Sequence, residues 1–224
     1  MTTIESIDDD GLIWYAAYGS NLHARRLAYY IAGGTPPWTS HTYPGFRDGT
    51  PPRRTVPLRL PGTIYFAWQS PVWGGGVAFY ADSPEVDWPV GAAARGYLLS
   101  RAQFADLLTQ EMYRVPGQWY EPDLDQLSAA GRLRLGSGRY ETLLHVGDLE
   151  GYPIVTFTAP WDPATVRLRR PAPGYLAMLA AGLREAHEWE HERVVDYLAA
   201  LPGVRGQYDA AELAALAELP WELP

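Results

Sequence analysis

The chain has 224 residues, a formal net charge of −8 and no cysteine. Its length suits one domain, its acidity argues against general binding of nucleic-acid phosphates, and the lack of cysteine excludes disulfides, thiolate metal sites and cysteine nucleophiles. There is no basic leader with an apolar run and no stretch of about 20 apolar residues, so we expect a cytoplasmic protein that binds neither membranes nor nucleic acid.

The N-terminal part of the chain predicts a tail, a strand and a helix. Residues 1–11 are acidic and form the tail. The apolar run Leu12–Ala17 contains aromatic side chains and is soon followed by a glycine, which predicts a buried strand. A helix capped by Ser20 or Asn21 should follow and reach Ile31.

The next part of the chain predicts mainly strands. Residues 39–61 are rich in proline, glycine and arginine and predict one or two irregular strands. Residues 62–69 and 76–80 predict a strand pair, joined by a turn-forming segment that carries Trp73.

The strand predicted at residues 94–99 leads directly into a helix. Ser100 and Gln103 form a capping-box pattern, in which each side chain bonds the backbone N–H of the other. Apolar residues at helical spacing give this helix an inward face. The helix is expected to end at Glu111.

The C-terminal part predicts two more strands, at residues 140–146 and 154–157, followed by the longest helix, at residues 175–201. Residues 202–224 form an extension that should pack on the domain of residues 12–201. Because the helices are irregularly placed among the strands, the order indicates an α+β fold rather than a doubly wound parallel sheet.

The most informative segment is the loop Tyr18-Gly19-Ser20-Asn21-Leu22, at the end of the first strand. Glycine permits a sharp turn and a close approach to a ligand, and Ser20 and Asn21 supply polar groups. The N-terminus of the following helix presents free N–H groups that suit a carboxylate. The same run is typical of an ordinary strand-to-helix turn, and the residues alone leave both interpretations open.

Glu111 is a second candidate site residue. It lies at the end of the capped helix, beside the apolar Leu107, Leu108 and Met112. A carboxylate held among apolar side chains is suited to general acid/base work near neutrality. A solvated glutamate would fit the same position, since most glutamates lie on protein surfaces.

Four segments, taken in order, resemble the gamma-glutamylcyclotransferase family. They are Tyr18–Leu22, Ser70–Ala78 with Trp73 and its glycines, Gly96–Leu99 followed by a helix and Glu111, and Pro171–Leu176 with Tyr175. The likeness covers residues 14–201. This chain departs from the family at Met112, where the family often has glycine, and residues 39–61 and the C-terminal extension have no counterpart.

The resemblance implies a mixed β-barrel flanked by helices, with a long C-terminal helix, and an enzyme without a cofactor. The loop of residues 18–22 would bind the α-carboxylate of a γ-glutamyl substrate, and Glu111 would be the catalytic acid/base. The substrate α-amine would attack the γ-carbonyl, form 5-oxoproline and release an amine whose identity the sequence leaves open. Trp73, Tyr120 and Tyr175 would line the substrate pocket.

One further motif points to different chemistry. His187-Glu188-Trp189-Glu190-His191 matches the zinc-hydrolase pattern H-E-x-x-H. On one continuous helix, both imidazoles would lie on the same face and Glu188 could activate a metal-bound water. The many charged neighbours also fit a solvated helix face, and no third ligand follows at the usual spacing. We therefore predict no metal site and keep a zinc hydrolase, and a non-catalytic small-molecule binder of the same fold, as alternatives.

Overall fold

The computed structural model of the protein describes residues 11–37, 39–83, 85, 87–118 and 121–220. The predictions made for residues 1–10 and for Tyr120 fall outside these ranges.

The described residues form eight strands, six α-helices and one turn of 3-10 helix. The strands are β1 (Leu12–Ala17), β2 (Arg54–Leu60), β3 (Thr63–Ala67), β4 (Val77–Ala81), β5 (Ala92–Ser100), β6 (Arg132–Arg134), β7 (Thr142–Leu149) and β8 (Tyr152–Thr158). The helices are α1 (Ala24–Ala32), α2 (Arg101–Glu111), α3 (Leu124–Ala130), α4 (Pro173–His187), α5 (His191–Ala200) and α6 (Ala210–Glu218), and the 3-10 turn is Ser20–Leu22.

Six strands form one mixed sheet in the order β2-β5-β1-β8-β7-β6, and β3 and β4 form a separate hairpin. The α+β prediction is confirmed, but the predicted barrel is wrong because the sheet does not close. At one end, β2 carries Pro57, which has no N–H to donate to a further strand. At the other end, β6 has only three residues.

The central strand β1 is buried on both faces. Trp14 and Ala16 belong to a core that also contains the β3–β4 hairpin and residues of α4, α5 and α6. Ile13 and Tyr15 belong to a second core, with residues of α1, α2 and α3. This double burial explains why β1 reads as a continuous apolar run rather than an alternating one.

The predicted helix that ends at Glu111 is confirmed as α2. Ser100 Oγ accepts from the Gln103 N–H, and Gln103 Oε1 accepts from the Ser100 N–H, each at 3.1 Å. The capping box therefore fixes where α2 begins, and its eleven residues place Glu111 at the last position.

The predicted helix at residues 175–201 is wrong, because the chain forms two helices there. Glu188 adopts a left-handed φ of 52° and its N–H bonds the carbonyl of Arg184, which ends α4. Trp189 then turns into the core, and α5 begins only at His191. His187 and His191 do not share a helix face, so the geometry assumed for a zinc site is lost. Within the described ranges, no three histidines or carboxylates cluster as a metal site would require.

The C-terminal helix α6 packs on α4 and α5, and Leu213 and Ala217 lie in the same core as those helices. The boundary between the domain and its extension at residue 202 stays a prediction. In the described part of the chain, no helix combines the length and the apolar character needed to cross a bilayer.

Candidate active site

A cavity opens beyond the C-terminal end of β1. The loop after β1, the start of α1, the end of α2 and the start of α4 all contribute to its lining. We call its deeper part the inner wall, formed by the half-buried Glu111 and the buried Tyr15, Asn21, Arg26, Tyr30 and Tyr43. We call its outer rim the mouth, formed by His41, Trp68, Tyr113 and Arg139.

The loop after β1 is held tightly from two sides. The Leu22 N–H bonds the carbonyl of Gly19 at 2.9 Å, which closes the 3-10 turn, and the Tyr97 hydroxyl donates to the carbonyl of Asn21 at 2.8 Å. From α4, Gly182 approaches so closely that a Cβ there would lie 2.7 Å from the His23 nitrogen. The loop is therefore fixed before any ligand binds.

The helix after this loop begins later than predicted. Neither Ser20 nor Asn21 caps α1, because both lie in the 3-10 turn; the N-cap position is His23, whose side chain makes no cap hydrogen bond. Leu22 is buried in the core and does not line the cavity, and its N–H is already used. It therefore supports the loop rather than facing a ligand.

Tyr18, Gly19, Ser20 and Asn21 do line the cavity. The Tyr18 hydroxyl is anchored by a hydrogen bond of 2.6 Å to the carbonyl of Phe157 in β8. The polar groups of residues 19–21 are thus the part of the loop that a ligand can reach.

Asn21 and Glu111 meet across the cavity, although they are 90 positions apart in the chain. Asn21 Nδ2 donates to Glu111 Oε1 at 3.3 Å and lies 3.4 Å from the Tyr15 hydroxyl. Asn21 Oδ1 is buried and accepts no hydrogen bond. A buried acceptor without a partner costs about 1–3 kcal/mol, so a ligand that donates to this oxygen would be favoured.

The tyrosines around the cavity are neutral donors. Burial, and then the charge of Glu111, raise the pKa of Tyr15 and of Tyr30 well above the usual range. Burial is also the main cause that raises the pKa of Tyr18, Tyr140 and Tyr175. These phenols can therefore donate hydrogen bonds at neutral pH.

Arg26 is a buried cation of the inner wall. Only 4% of its surface is exposed, and its guanidinium carbon lies 4.7 Å from the ring centres of both Tyr30 and Tyr43. Nη2 donates to the Tyr43 hydroxyl at 2.6 Å and to the Tyr30 hydroxyl at 3.3 Å. Burial opposes the charge, but Tyr30, Tyr43 and Glu111 outweigh it and raise the pKa of Arg26.

Trp73 and Tyr175 form a further part of the lining, with their ring centres 5.2 Å apart. The Tyr175 hydroxyl accepts from the N–H of Ala78 at 3.2 Å. Ser70 Oγ accepts from the N–H of Trp73 at 3.1 Å, which holds the turn that presents the indole. Gly76 lets the backbone of Arg169 approach closely, because a Cβ at position 76 would lie 2.4 Å from the carbonyl oxygen of Arg169.

The mouth is more exposed and its backbone is strained. Trp68 and Tyr113 are 36% and 52% exposed and adopt left-handed φ angles of 58° and 56°. The guanidinium of Arg139 lies between their rings, 4.5 Å from each ring centre. Residues in this backbone region are held there by their surroundings and recur at functional sites.

Sequence reasoning missed Arg26, Tyr30 and the whole mouth. The sequence pattern could have indicated Arg26 and Tyr30, because they are four positions apart and therefore lie on the same, inward face of α1. Arg139 had no such signal, since it reaches the mouth from the loop between β6 and β7. His41 and Tyr43 show that part of residues 39–61 reaches the cavity.

Comparisons with known proteins show the fold but do not assign a family. No protein-family model matches this chain. A curated protein, histone deacetylase 5 from Arabidopsis thaliana, is 29% identical over 201 residues; the match covers 83% of this chain and 30% of that protein. The chain thus spans less than a third of that relative.

Two solved structures resemble this chain to different degrees. One is the uncharacterized protein loc79017 from Homo sapiens, with a TM-score of 0.50 and 15% identity, over 94% of this chain and 100% of the other. A second, titled gamma-glutamyl cyclotransferase, has a TM-score of 0.47 and 16% identity, over 92% and 98% of the two chains. The likeness to the human protein spans nearly the whole molecule and shows that the two chains share a fold.

Proposed function

We propose that this protein is a cofactor-free cyclotransferase, which releases an amine from a γ-glutamyl amide and forms 5-oxoproline. The observation that carries the proposal is the contact between Asn21 and Glu111, at 3.3 Å, across one cavity. It joins the loop that resembles a substrate-binding segment to the carboxylate that resembles a catalytic acid/base.

The cavity offers a place for each polar group of a γ-glutamyl substrate. The α-carboxylate would bind at residues 19–21, where the backbone of the 3-10 turn faces the cavity. The α-amine would lie between the Glu111 carboxylate and Asn21 Oδ1, the buried acceptor that lacks a partner. Both amine partners accept hydrogen bonds, which matches the donors that an amine carries.

The reaction needs one proton to move, and in this proposal Glu111 carries it. The neutral α-amine attacks the γ-carbonyl carbon, and the new C–N bond closes the five-membered lactam. The bond from that carbon to the departing nitrogen breaks. Glu111 accepts the proton that the attacking amine sheds and delivers it to the departing nitrogen, so atoms and charge balance. Because both reacting groups belong to one molecule, holding them in place supplies much of the acceleration.

Replacing Glu111 tests the proposal directly. Glu111→Gln keeps the size of the side chain and its contact with Asn21 but cannot carry the proton. We expect the rate of 5-oxoproline release from a γ-glutamyl compound to fall by about 10²–10⁴, the usual contribution of a general acid/base. Glu192→Gln, which changes an exposed carboxylate on α5, serves as the matched control.

The wild-type protein and the variants are tested with a panel of γ-glutamyl compounds. Mass spectrometry measures the release of 5-oxoproline, and calorimetry measures binding. Full activity of folded Glu111→Gln would overturn the mechanism. Binding to the wild-type protein without any 5-oxoproline would instead support the alternative of a non-catalytic binder.

A further inference from the structure

We propose that the cavity continues past its mouth into an outer groove that binds the group attached to the departing nitrogen, and that this group is apolar or aromatic. The outer groove is the hollow between Pro44 and Val115, beside Tyr113. The role of the bound group as part of a leaving amine rests on the proposed cyclotransferase activity, whereas its binding can be measured without turnover.

The outer groove and the cavity are continuous. His41, Gln110 and Tyr113 line both of them. Because the same side chains form a wall of each, a ligand that fills the cavity and extends through the mouth passes over Tyr113 and reaches Val115. The groove would hold the part of such a ligand that the cavity does not.

The position of Glu111 indicates which end of the substrate would reach this groove. In the proposed reaction, the α-carboxylate and the α-amine of the substrate bind at residues 19–21 and beside Asn21 Oδ1. Glu111 would deliver a proton to the departing nitrogen, and it is the last residue of α2, two positions before Tyr113. The group attached to that nitrogen would therefore lie along Tyr113 and enter the outer groove.

Apolar side chains are concentrated and exposed at this place. Tyr113 and Val115 are 52% and 49% exposed, and Trp68 at the mouth is 36% exposed. They are three of the five exposed large apolar side chains in the described part of the chain, so such residues are not simply scattered over the surface. A concentration of exposed apolar surface beside a cavity is typical of a binding groove.

The aromatic rings are held in place before any ligand binds. Arg139 lies between Trp68 and Tyr113, and its Nη2 donates to the carbonyl of Glu111 at 3.5 Å, which links this pair of rings to the end of α2. The ring of His41 meets Tyr113 edge-on, with the ring centres 5.9 Å apart. An ordered surface loses little conformational entropy on binding, so a flat aromatic group can stack there at low cost.

The charges of the outer groove favour a neutral group. Its described lining residues include no carboxylate, and the one arginine among them, Arg114, pairs with Glu141 at 3.2 Å. The groove thus offers mainly apolar surface. An anionic group would instead bind at the N–H edge of Arg139 at the mouth, and the experiment has to separate these two cases.

The experiment compares γ-glutamyl amides of ethylamine, 2-phenylethylamine, 2-(2-naphthyl)ethylamine and glycine. These are primary amines of similar basicity, so differences in kcat/KM report the contacts of the substituent. We expect kcat/KM for the two aromatic compounds to exceed that for the ethyl compound by about 10-fold or more, the usual discrimination of an apolar pocket. The glycine compound, which carries a carboxylate, should be no better than the ethyl compound.

Two variants test whether the selectivity arises in the outer groove. Val115→Asp places a charge there, and Tyr113→Gly removes the ring at a position with a left-handed backbone. Each should reduce the preference for the phenylethyl over the ethyl compound by about 5–10-fold. The ratio of the two rates does not respond to partial unfolding, because loss of folded protein lowers both rates equally.

Val90→Asp is the matched control for Val115→Asp. Val90 is 71% exposed but lines neither the cavity nor the groove, so its replacement should leave the ratio unchanged. A preference for the aromatic compounds that persists in both Val115→Asp and Tyr113→Gly would overturn the inference.

Kinetics and calorimetry together distinguish this inference from the proposed function. If the wild-type protein releases 5-oxoproline without preferring the aromatic compounds, or prefers the glycine compound, the inference is overturned and the cyclotransferase proposal stands. If it turns over none of the compounds but binds the phenylethyl compound about 10-fold more tightly than the ethyl compound, and Val115→Asp removes this difference, the groove is supported and the cyclotransferase proposal fails. Equal affinities without turnover, or no binding at all, would overturn both.

Discussion

The inner wall and the mouth of the cavity contain the same local arrangement in two different environments. In each, one arginine lies between two aromatic rings: Arg26 is 4.7 Å from the centres of Tyr30 and Tyr43, and Arg139 is 4.5 Å from those of Trp68 and Tyr113. Arg26 is almost completely buried, whereas the rings beside Arg139 are exposed to water. The contact between arginine and aromatic rings should therefore contribute more free energy at the inner wall than at the mouth.

The difference follows from what surrounds each cation. At the inner wall, Arg26, Tyr30 and Tyr43 are buried, so the interaction of the guanidinium with the two phenols is weakly screened. At the mouth, Arg139 Nη2 donates to the backbone carbonyl of Glu111 at 3.5 Å, but solvent reaches the guanidinium, and exposed charge interactions are worth about 0–1 kcal/mol. For the proposed cyclotransferase, we therefore expect the inner wall to govern the chemistry and the mouth to affect which substrates enter and how tightly they bind.

The largest effect that tests this comparison is expected at Asn21. Asn21→Ala removes the hydrogen bond to Glu111 and the buried acceptor offered to a substrate amine. Loss of such a preorganised group costs about 2–4 kcal/mol in the transition state, so kcat/KM for 5-oxoproline release should fall by about 10²-fold. Steady-state kinetics on a γ-glutamyl substrate measure the change.

Tyr15→Phe is the control for Asn21→Ala. It removes the other hydroxyl near Asn21, at 3.4 Å, but leaves the contact with Glu111 in place. The loss of kcat/KM should be no more than about 5-fold, the weight of one ordinary hydrogen bond. Equal losses in the two variants would mean that the contact between Asn21 and Glu111 has no special role.

A smaller effect is expected at the mouth. Arg139→Gln removes a half-exposed cation that lines the cavity but lies outside the inner wall. We expect KM to rise by about 3–10-fold with kcat nearly unchanged, since the interaction acts equally on bound substrate and transition state. A large fall in kcat would show that the mouth takes part in the chemistry.

The sequence predicted the inner wall better than the mouth for a physical reason. Glu111 follows from local rules, because a capping box fixes where α2 begins and an apolar face fixes its length. The loop after β1 follows from a buried strand that ends at a glycine. Arg139 and Trp68 come from loops whose path depends on contacts distant in sequence, which local patterns do not encode.

The errors in the fold have the same origin. Nothing in the periodicity of residues 175–201 marks a break at Glu188, because the break comes from the burial of Trp189 in the tertiary core. The open sheet likewise depends on how β2 and β6 end, and strands of three residues such as β6 are too short for a periodic signal.

The strain at the mouth gives the smallest and most specific test. Tyr113 has a φ of 56°, a conformation that glycine adopts freely and alanine does not. Tyr113→Gly and Tyr113→Ala both remove the ring that stacks on Arg139, so their difference isolates the backbone. We expect the glycine variant to be more stable by about 0.5–1 kcal/mol, measured by urea unfolding. At Ala215, an exposed position inside α6, Ala215→Gly should show the opposite sign by a similar amount, because glycine is the poorer helix former. If the alanine variant at position 113 is the more stable one, the fold does not impose the left-handed conformation, and the backbone at the mouth is flexible rather than strained.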